Sequence, residues 1–525
     1  MIAVSDAWRA RQEKLLAPEG FVEISYLLSH DGLQESAVST SNDTAEFAAV
    51  GEVVDTSIAH SRYATCEPNF WVLDGSAEIF ADDSSATGTG YVSDSFGAGG
   101  VSVTLPAAHT ALLPGITITW SDAHGEYATD FTVTVRRAGA VVKTKTVTGN
   151  TEPISVLDMP IQNYDTVEVE VLGWSLPEHR VRIETVLLGY QVTFNKRDIT
   201  SFKHNQKVCL SSGELPKNSI SFSLENVSGR WNPNSPDGVE RYLSERQKMT
   251  VRYGFNIDGR VEWIKAGTFY LSEWSTPANG TEADFEARDL LEYMIDETYT
   301  GITSGTLFEI ASAAIAQVGF ANGREIYLDP VLQEYSADFG SEAGERSVAE
   351  VLQLCANAAC CVMYQDRDGV FRVQREQRGV SGYVVGKMVE YSHPEFNLTK
   401  PLKSVTVTGT DVEYTLDVDA EGEKQTEKNA LISTETQASE VAAWVADNLK
   451  TRKSISGEFR ADPRLDALDN ISVETRFGTV RAVLLTELQY TFSGAFKGSF
   501  TGYVPYGYNL AEYFAGEIFS GEVNS

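Results

Sequence analysis

The chain has 525 residues, 42% hydrophobic and 22% charged. That balance describes a folded protein rather than a disordered one, and the length divides into three or four units with cores of their own. Its 74 acidic residues against 42 basic ones give a net charge of −32, and a surface of that sign repels duplex phosphates, so no stable nucleic-acid binding is expected. Were the chain to line a tube through which nucleic acid slides, the same repulsion would prevent sticking; solubility of an acidic protein explains the charge equally well.

No apolar run approaches the roughly 20 residues needed to cross a bilayer, so no membrane insertion by this chain is expected. The opening MIAVSDAWRARQEKLL lacks the charged-then-apolar layout of a secretion signal, which places synthesis and folding in a cytoplasm. Cys66, Cys209, Cys355, Cys360 and Cys361 form an odd, scattered set without zinc-like spacing, and are expected to be reduced and structural. The seven histidines are dispersed. No metal site and no cofactor are expected.

In chain order, the run FVEISYLLSH reads as a strand and the polar LQESAVSTSNDTAEF as a boundary. Short strands follow at ITITW (116–120), FTVTV (131–135), VVKTKTV (141–147), TVEVEVLGW (166–174) and RVRIETVLLGY (180–190). Val167, Val169 and Val171 alternate with Thr166, Glu168 and Glu170, the period of a sheet with one dry face. Short strands at this spacing predict a β-sandwich.

Asn69-Phe70-Trp71-Val72-Leu73-Asp74-Gly75, Gly90-Tyr91-Val92-Ser93, and the strand Arg180-Val181-Arg182-Ile183-Glu184 leading to Leu188-Gly189 carry a resemblance of this segment to the galactose-binding-like, or discoidin-like, jelly roll. That resemblance implies binding of sugars or surfaces through loops at one end of the sandwich. A sugar site pairs an aromatic face with carboxylates, amides or cations that fix hydroxyls. Trp120, Asp122, His124 and Tyr127 lie after one strand, and Trp174 and His179 flank another; these six are the candidate carbohydrate-binding residues. The competing role for a Trp at a strand end is to cap the core, and Trp71 is assigned to the core outright. Asp82-Asp83 and Glu126 with Asp130 have the chemistry to hold calcium, against the plainer role of solvated carboxylates.

Beyond the sandwich the pattern changes to Asp198-Ile199-Thr200-Ser201-Phe202, Leu215-Pro216, Ser219 to Leu224, Glu225-Asn226, Pro233, Tyr253-Gly254 and the strand Lys265 to Trp274. Thr306 and Glu309 form a capping box for a helix presenting Leu307, Ile310, Ala311, Ala314, Ile315 and Val318, which Gly319 stops. A second helix opens at Ser347 and Glu350, burying Val348, Val351, Leu352 and Cys355. The hairpin CCVMYQDRDGVFRVQRE then turns at Asp368-Gly369; its Asp366 to Gly369 run is read as a turn, not a calcium loop. Strands return with SVTVTGTDVEYTLDV, and the acids between Asp411 and Glu427 suggest an exposed loop or hairpin. Thr434 and Gln437 cap a helix burying Val441, Trp444, Val445 and Leu449.

Residues 461–502 complete the pattern: an Asp-rich turn at Asp466 to Asp469, a strand Ile471 to Thr475, a Gly478 turn, and Thr486 to Phe492 running into Gly494 and Gly498. This stretch resembles the closing barrel strands of the tail-tip, or baseplate, hub protein of long-tailed bacteriophages, and the segments from 195 onward carry the same resemblance. It implies a mainly β, multidomain chain: 1–35, an N-terminal segment and the first strand of hub barrel 1; 36–194, an inserted galactose-binding-like sandwich; 195–300, the rest of barrel 1; 301–395, a small α/β domain; 396–510, barrel 2 with an inserted helix; 511–525, a C-terminal tail. An inserted domain is tolerated at an exposed turn because closing a long loop costs little more than closing a short one.

The resemblance further implies a structural virion protein, not an enzyme, located at the tail tip after assembly in the host cytoplasm. Its implied partners are two further copies in a homotrimer, a distal tail ring protein, a tape-measure protein C-terminus, a fibre or spike protein, and host-surface glycans. No GxSxG, P-loop, dinucleotide fingerprint or Cys-His pair appears. The alternative is a free carbohydrate-binding protein or glycoside-active enzyme, since two carboxylates suffice for glycoside hydrolysis. The missing secretion signal counts against that alternative, and the chain's end at Ser525 counts against a peptidoglycan hydrolase.

Overall fold

Alternating side chains explain most of what forms. In the strand Gly20–Leu28, Val22, Ile24, Tyr26 and Leu28 are buried while the residues between them reach solvent; the pleat sends neighbours to opposite faces, so this order gives one dry face. The computed structural model describes residues 2–504 apart from 13, 15, 17, 31, 56, 57, 59, 61–64, 66, 69–87, 122, 123, 211–213, 230, 233, 234, 236–241, 278, 279, 321, 323, 324, 339–345, 377–382, 399, 450–452 and 477. It is mainly β, with several sheets and few helices. Two units emerge: residues 1–24, 194–235 and 249–525 form the first, and 25–193 with 236–248 the second.

The first unit is built on a sheet whose strands follow in hydrogen-bonded order as Lys248–Ile257, Arg260–Ser275, Glu282–Arg288, Lys217–Glu225, Ile199–Lys207, Gly478–Phe492, Phe496–Tyr503, Lys453–Phe459 and Glu395–Leu398. The seam between its N-terminal and C-terminal strands is the strand Ile199–Lys207. Phe202 stands opposite Phe222 on one side and Phe492 on the other, and Lys207 stands opposite Lys217 and Glu487. One face is aromatic: Phe222 stacks on Phe285 at 5.1 Å, and Tyr253 meets Phe202 and Tyr490 edge to face. Offset and edge-on rings of this kind add to simple burial. The other face carries Ser221, Lys203, Asn205, Gln489 and Ser499 in facing registers, so it is polar.

The same unit contains both predicted capped helices, Leu307–Gln317 and Val348–Ala358. Thr306 and Ser347 accept from the backbone of Glu309 and Glu350, and each glutamate accepts in return from the cap backbone. The hairpin Cys361–Gln365 and Phe371–Arg375 turns where expected, with Gly369 at φ +89°. The Asp366 carboxylate is spent inside that turn, accepting from the backbone of Asp368 and Val370 at 3.0 Å and from Arg372 Nε at 2.6 Å. Leu402–Thr408 is flanked by the acid-rich strands Glu413–Asp417 and Glu423–Lys428, and the helix Glu435–Leu449 covers it. Val405, Val407, Val441 and Val445 share one core with the two capped helices.

In the second unit a five-stranded sheet runs Val38–Thr40, Gly99–His109, Tyr164–Trp174, Ala128–Arg137, Ala140–Val147. Val167, Val169 and Val171 point inward opposite Val135, Val133 and Phe131, as the alternation predicts. A three-stranded sheet, Thr185–Leu187, Leu113–Thr119, Ile154–Ile161, and the pair Arg180–Ile183 with Tyr91–Phe96 supply further inward residues to one shared core. The hairpin before Ala140 needs two left-handed residues, and Ala138 and Gly139 take φ of 48° and 81°. Asn69 to Gly75, Trp71 included, and Asp82-Asp83 lie outside the described residues, as do Cys66, Pro233 and 511–525.

Among the described residues no helix is long and apolar enough to cross a membrane. Cys209, Cys355, Cys360 and Cys361 are free thiols, and burial pushes Cys360 up to about 11.

Candidate functional site

The loop end of the second unit gathers several of the sequence-predicted residues around one carboxylate. Glu126, itself buried, accepts from Trp174 Nε1 at 2.8 Å and lies 3.0 Å from His179 Nδ1. Arg182 stands 3.7 Å from its other oxygen and forms an ion pair with Glu67. Glu67 also accepts from the Arg180 backbone at 2.6 Å and the Thr65 hydroxyl at 2.7 Å. Burial alone would push the Glu67 carboxyl up, but the Arg182 guanidinium and these hydrogen bonds together hold it below its ordinary value. Pro68 offers its carbonyl to His179 Nε2 at 2.5 Å.

The geometry locks Thr65, Glu67 and Pro68 to the strand ends. Buried charges persist only when paired and hydrogen-bonded, and here the one guanidinium of Arg182 is shared between the Glu67 and Glu126 carboxylates. Trp120 and His179 are buried, so neither offers a face to a ligand. Trp120 donates to Ser155 Oγ at 2.9 Å and packs edge-on against Phe131 and Trp174 at 4.8 and 6.3 Å. Trp174 and Tyr127 are half-buried, and His124, bonded through Nδ1 to Ser121 Oγ at 3.0 Å, is also partly accessible. Asp122 lies outside the described residues. Asp130 is occupied by Thr129 Oγ1 and the Gly149 N–H, and no group of three or more His, Cys, Asp or Glu among the described residues is placed to hold a metal.

Sequence reasoning passed over Glu67 and Arg182, and named Glu126 only as a calcium candidate. A signal existed for Arg182: it sits between Val181 and Ile183 in a strand where all of these are buried, and a charge in such a place demands a partner.

In the first unit a second ion pair, its guanidinium buried and its carboxylate partly exposed, joins three segments. Arg367 places Nε 2.8 and 2.9 Å from the two oxygens of Asp466, and donates to the carbonyls of Lys265, Pro463 and Leu465. Asp466 also accepts from Gln206 Nε2 at 3.1 Å. The Asp-rich turn of the closing strands is thereby fastened to the Asp366–Gly369 hairpin and to the strand Arg260–Ser275. His204 nearby bonds Tyr253 and Asn218, and burial lowers it to about 4, which keeps its ring neutral.

No protein-family model matches the chain, and no curated protein matches its sequence. The solved structures it resembles include three tail proteins, two of them from prophages, and a component of the E. coli type VI secretion system. The 43 kDa tail protein of prophage MuSo2 from Shewanella oneidensis is 12% identical with a TM-score of 0.41, over 60% of this chain and 95% of that one. The tail protein from Neisseria meningitidis MC58 is 11% identical with a TM-score of 0.43, over 62% and 96%. Prophage tail protein gp18 from Listeria monocytogenes EGD-e is 11% identical with a TM-score of 0.39, over 60% and 91%.

Proposed function

We propose that this chain is a structural component of a phage tail tip, a baseplate hub that organises the distal tail and carries a carbohydrate-binding module for attachment to the host surface. The observation that carries the reading is the seam of the first unit. Strands more than 250 residues apart in the sequence are zipped together there, from Phe202 opposite Phe492 to Lys207 opposite Glu487, and the Arg367–Asp466 pair ties the intervening hairpin to the same platform. A scaffold closed by its most distant segments resists local opening, which is what a part bearing assembly load requires. In this reading the residues 20–35 and 195–300 belong to one barrel, residues 396–510 to another, and 36–194 are a guest module.

Three copies would form a ring on a distal tail ring protein, with a tape-measure C-terminus and a fibre or spike as further partners. Three weak sugar sites on one trimer would raise avidity without tighter single sites. Tyr127 and Trp174 would offer the ring faces and His124 a polar group, with Trp120 packed edge-on against Trp174 and His179 on the same Glu126 carboxylate as the Trp174 indole. Light scattering of the purified protein tests the assembly, and a trimer mass is expected; a monomer at every concentration would overturn it. A polysaccharide panel tests the module: binding without product supports the hub, whereas released sugar transfers the chain to the glycoside-active class.

A further inference from the structure

Phe96 ends the strand Tyr91–Phe96 with its ring in the open: 57% of the residue is exposed. Single exposed apolar residues are commonplace, but this one is held in a fixed place. Its backbone stands opposite Arg180, and the next residue, Gly97, donates to the His179 carbonyl at 3.0 Å. Asp43 Oδ1 accepts from the N–H groups of Asp94 and Ser95 at 3.1 and 3.3 Å. The Arg180 guanidinium lies over the ring, 5.4 Å from its centroid, as a cation–π contact. Its Nη1 faces the carbonyls of Ser93 and Asp94 at 2.7 and 2.6 Å and Asp94 Oδ1 at 3.0 Å.

The Asp94 side chain is nevertheless 72% accessible, so its carboxylate is open to a ligand beside the ring. Glu178, one residue before the His179 carbonyl, is also exposed and is held at a left-handed φ of 59°. A ring backed by a cation and open to water is a flat apolar platform, a carboxylate next to it accepts from hydroxyls, and a platform already in place loses little entropy on binding. We propose that Phe96 is the principal stacking surface for a neutral hexose or N-acetylhexosamine unit, with a hydroxyl donated to Asp94. Acidic sugars are disfavoured, because the open polar groups here are carboxylates while the Arg180 guanidinium is turned to Asp94 and the backbone. The inference rests on the reading of this unit as a carbohydrate-binding module. It moves the main stacking role away from Trp174, which is half-buried with its indole N–H given to Glu126.

Saturation-transfer NMR of the full chain tests it, with the methyl glycosides of galactose, glucose and N-acetylglucosamine and with glucuronic acid as the acidic probe. Binding of at least one neutral glycoside, with glucuronic acid silent, is the expected result. Phe96→Ala should weaken that binding by about tenfold, the loss of one aromatic face, and Phe96→Tyr should retain it. Should Phe96→Ala not fold, Phe96→Leu keeps the apolar bulk without the flat ring and gives the same contrast. Binding that survives Phe96→Ala and is lost in Tyr127→Ala overturns the inference while leaving the module reading intact. Glucuronic acid binding as well as the neutral sugars overturns the assignment of ligand class, and silence of all four probes overturns the module reading and the inference together.

Discussion

Replacing Asp289 by Asn should remove a pH dependence that the fold itself creates. Burial, with a small contribution from Glu292 and against the pull of the Leu291 N–H and Arg288, moves this carboxyl from its ordinary 3.8 to about 7. The folded protein therefore holds the proton more tightly than the unfolded chain. The associated stability is fully present below the unfolded value and is lost as pH rises toward the folded one; above that it stays level. At about 1.4 kcal/mol per pH unit, the gap corresponds to about 4 kcal/mol across the window. Asn keeps the oxygen that accepts from Leu291 and cannot ionise. Urea unfolding of both proteins at pH 4.5 and pH 8, followed by tryptophan fluorescence, gives four midpoints in which every other titrating group cancels. The unaltered protein should lose stability between these pH values relative to the variant. A difference that does not change with pH would refute the argument, because it would mean that Asp289 ionises as freely in the fold as in water.

Arg367→Met removes the donors that reach Asp466 and three carbonyls, and should cost about 1 to 3 kcal/mol, since the carbonyls lose their donor while the partly exposed Asp466 keeps Gln206; chemical denaturation measures it, and a loss below about 0.5 kcal/mol would show the pair to be dispensable. Glu126→Ala removes the acceptor of the Trp174 indole and of His179 Nδ1, while Arg182 keeps Glu67 and His179 keeps the Pro68 carbonyl, and should destabilise the second unit by about 1 to 3 kcal/mol, while Glu126→Gln should cost less; a change in Trp174 fluorescence should accompany both. Gly100→Ala drives a Cβ to within 2.3 Å of the Val169 carbonyl, so the central pairing of the five-stranded sheet must shift, and a drop in melting temperature of several degrees is expected, from about 1 to 3 kcal/mol of overpacking. Thr306→Ala removes one half of a capping box and should cost about 1 kcal/mol, partly recovered by Ser at the same position.

Local signals were legible wherever a short window carries the whole cause. The alternation of Val167, Val169 and Val171 fixes which side of a strand is dry, Thr306-x-x-Glu309 and Ser347-x-x-Glu350 mark helix starts, and Asp368-Gly369 marks a turn; each appears in the structure at its expected place. The mainly β class follows from many such windows. The candidate site was less legible. Trp120, Trp174 and His179 lie near one another in the structure, yet whether a ring faces solvent depends on what another segment lays over it. Phe131 covers Trp120, and Pro68 and Glu126 enclose His179, from positions up to about a hundred residues away that no periodicity predicts.

The sequence by itself determined the elements, because propensity, capping and period act over a few residues. Only the tertiary structure decided which elements share a core and which charges meet. The helix Glu435–Leu449 was readable as an amphipathic helix, but its apolar stripe carries no address; packing set it among Val405, Val407 and the capped helices. No local pattern links Arg367 to Asp466; the closing strands bring the Asp-rich turn onto the hairpin and bury the guanidinium. Hydrophobic burial is non-directional and long-range pairing is paid for only after loops close, so the partner of each face is settled by the whole chain at once.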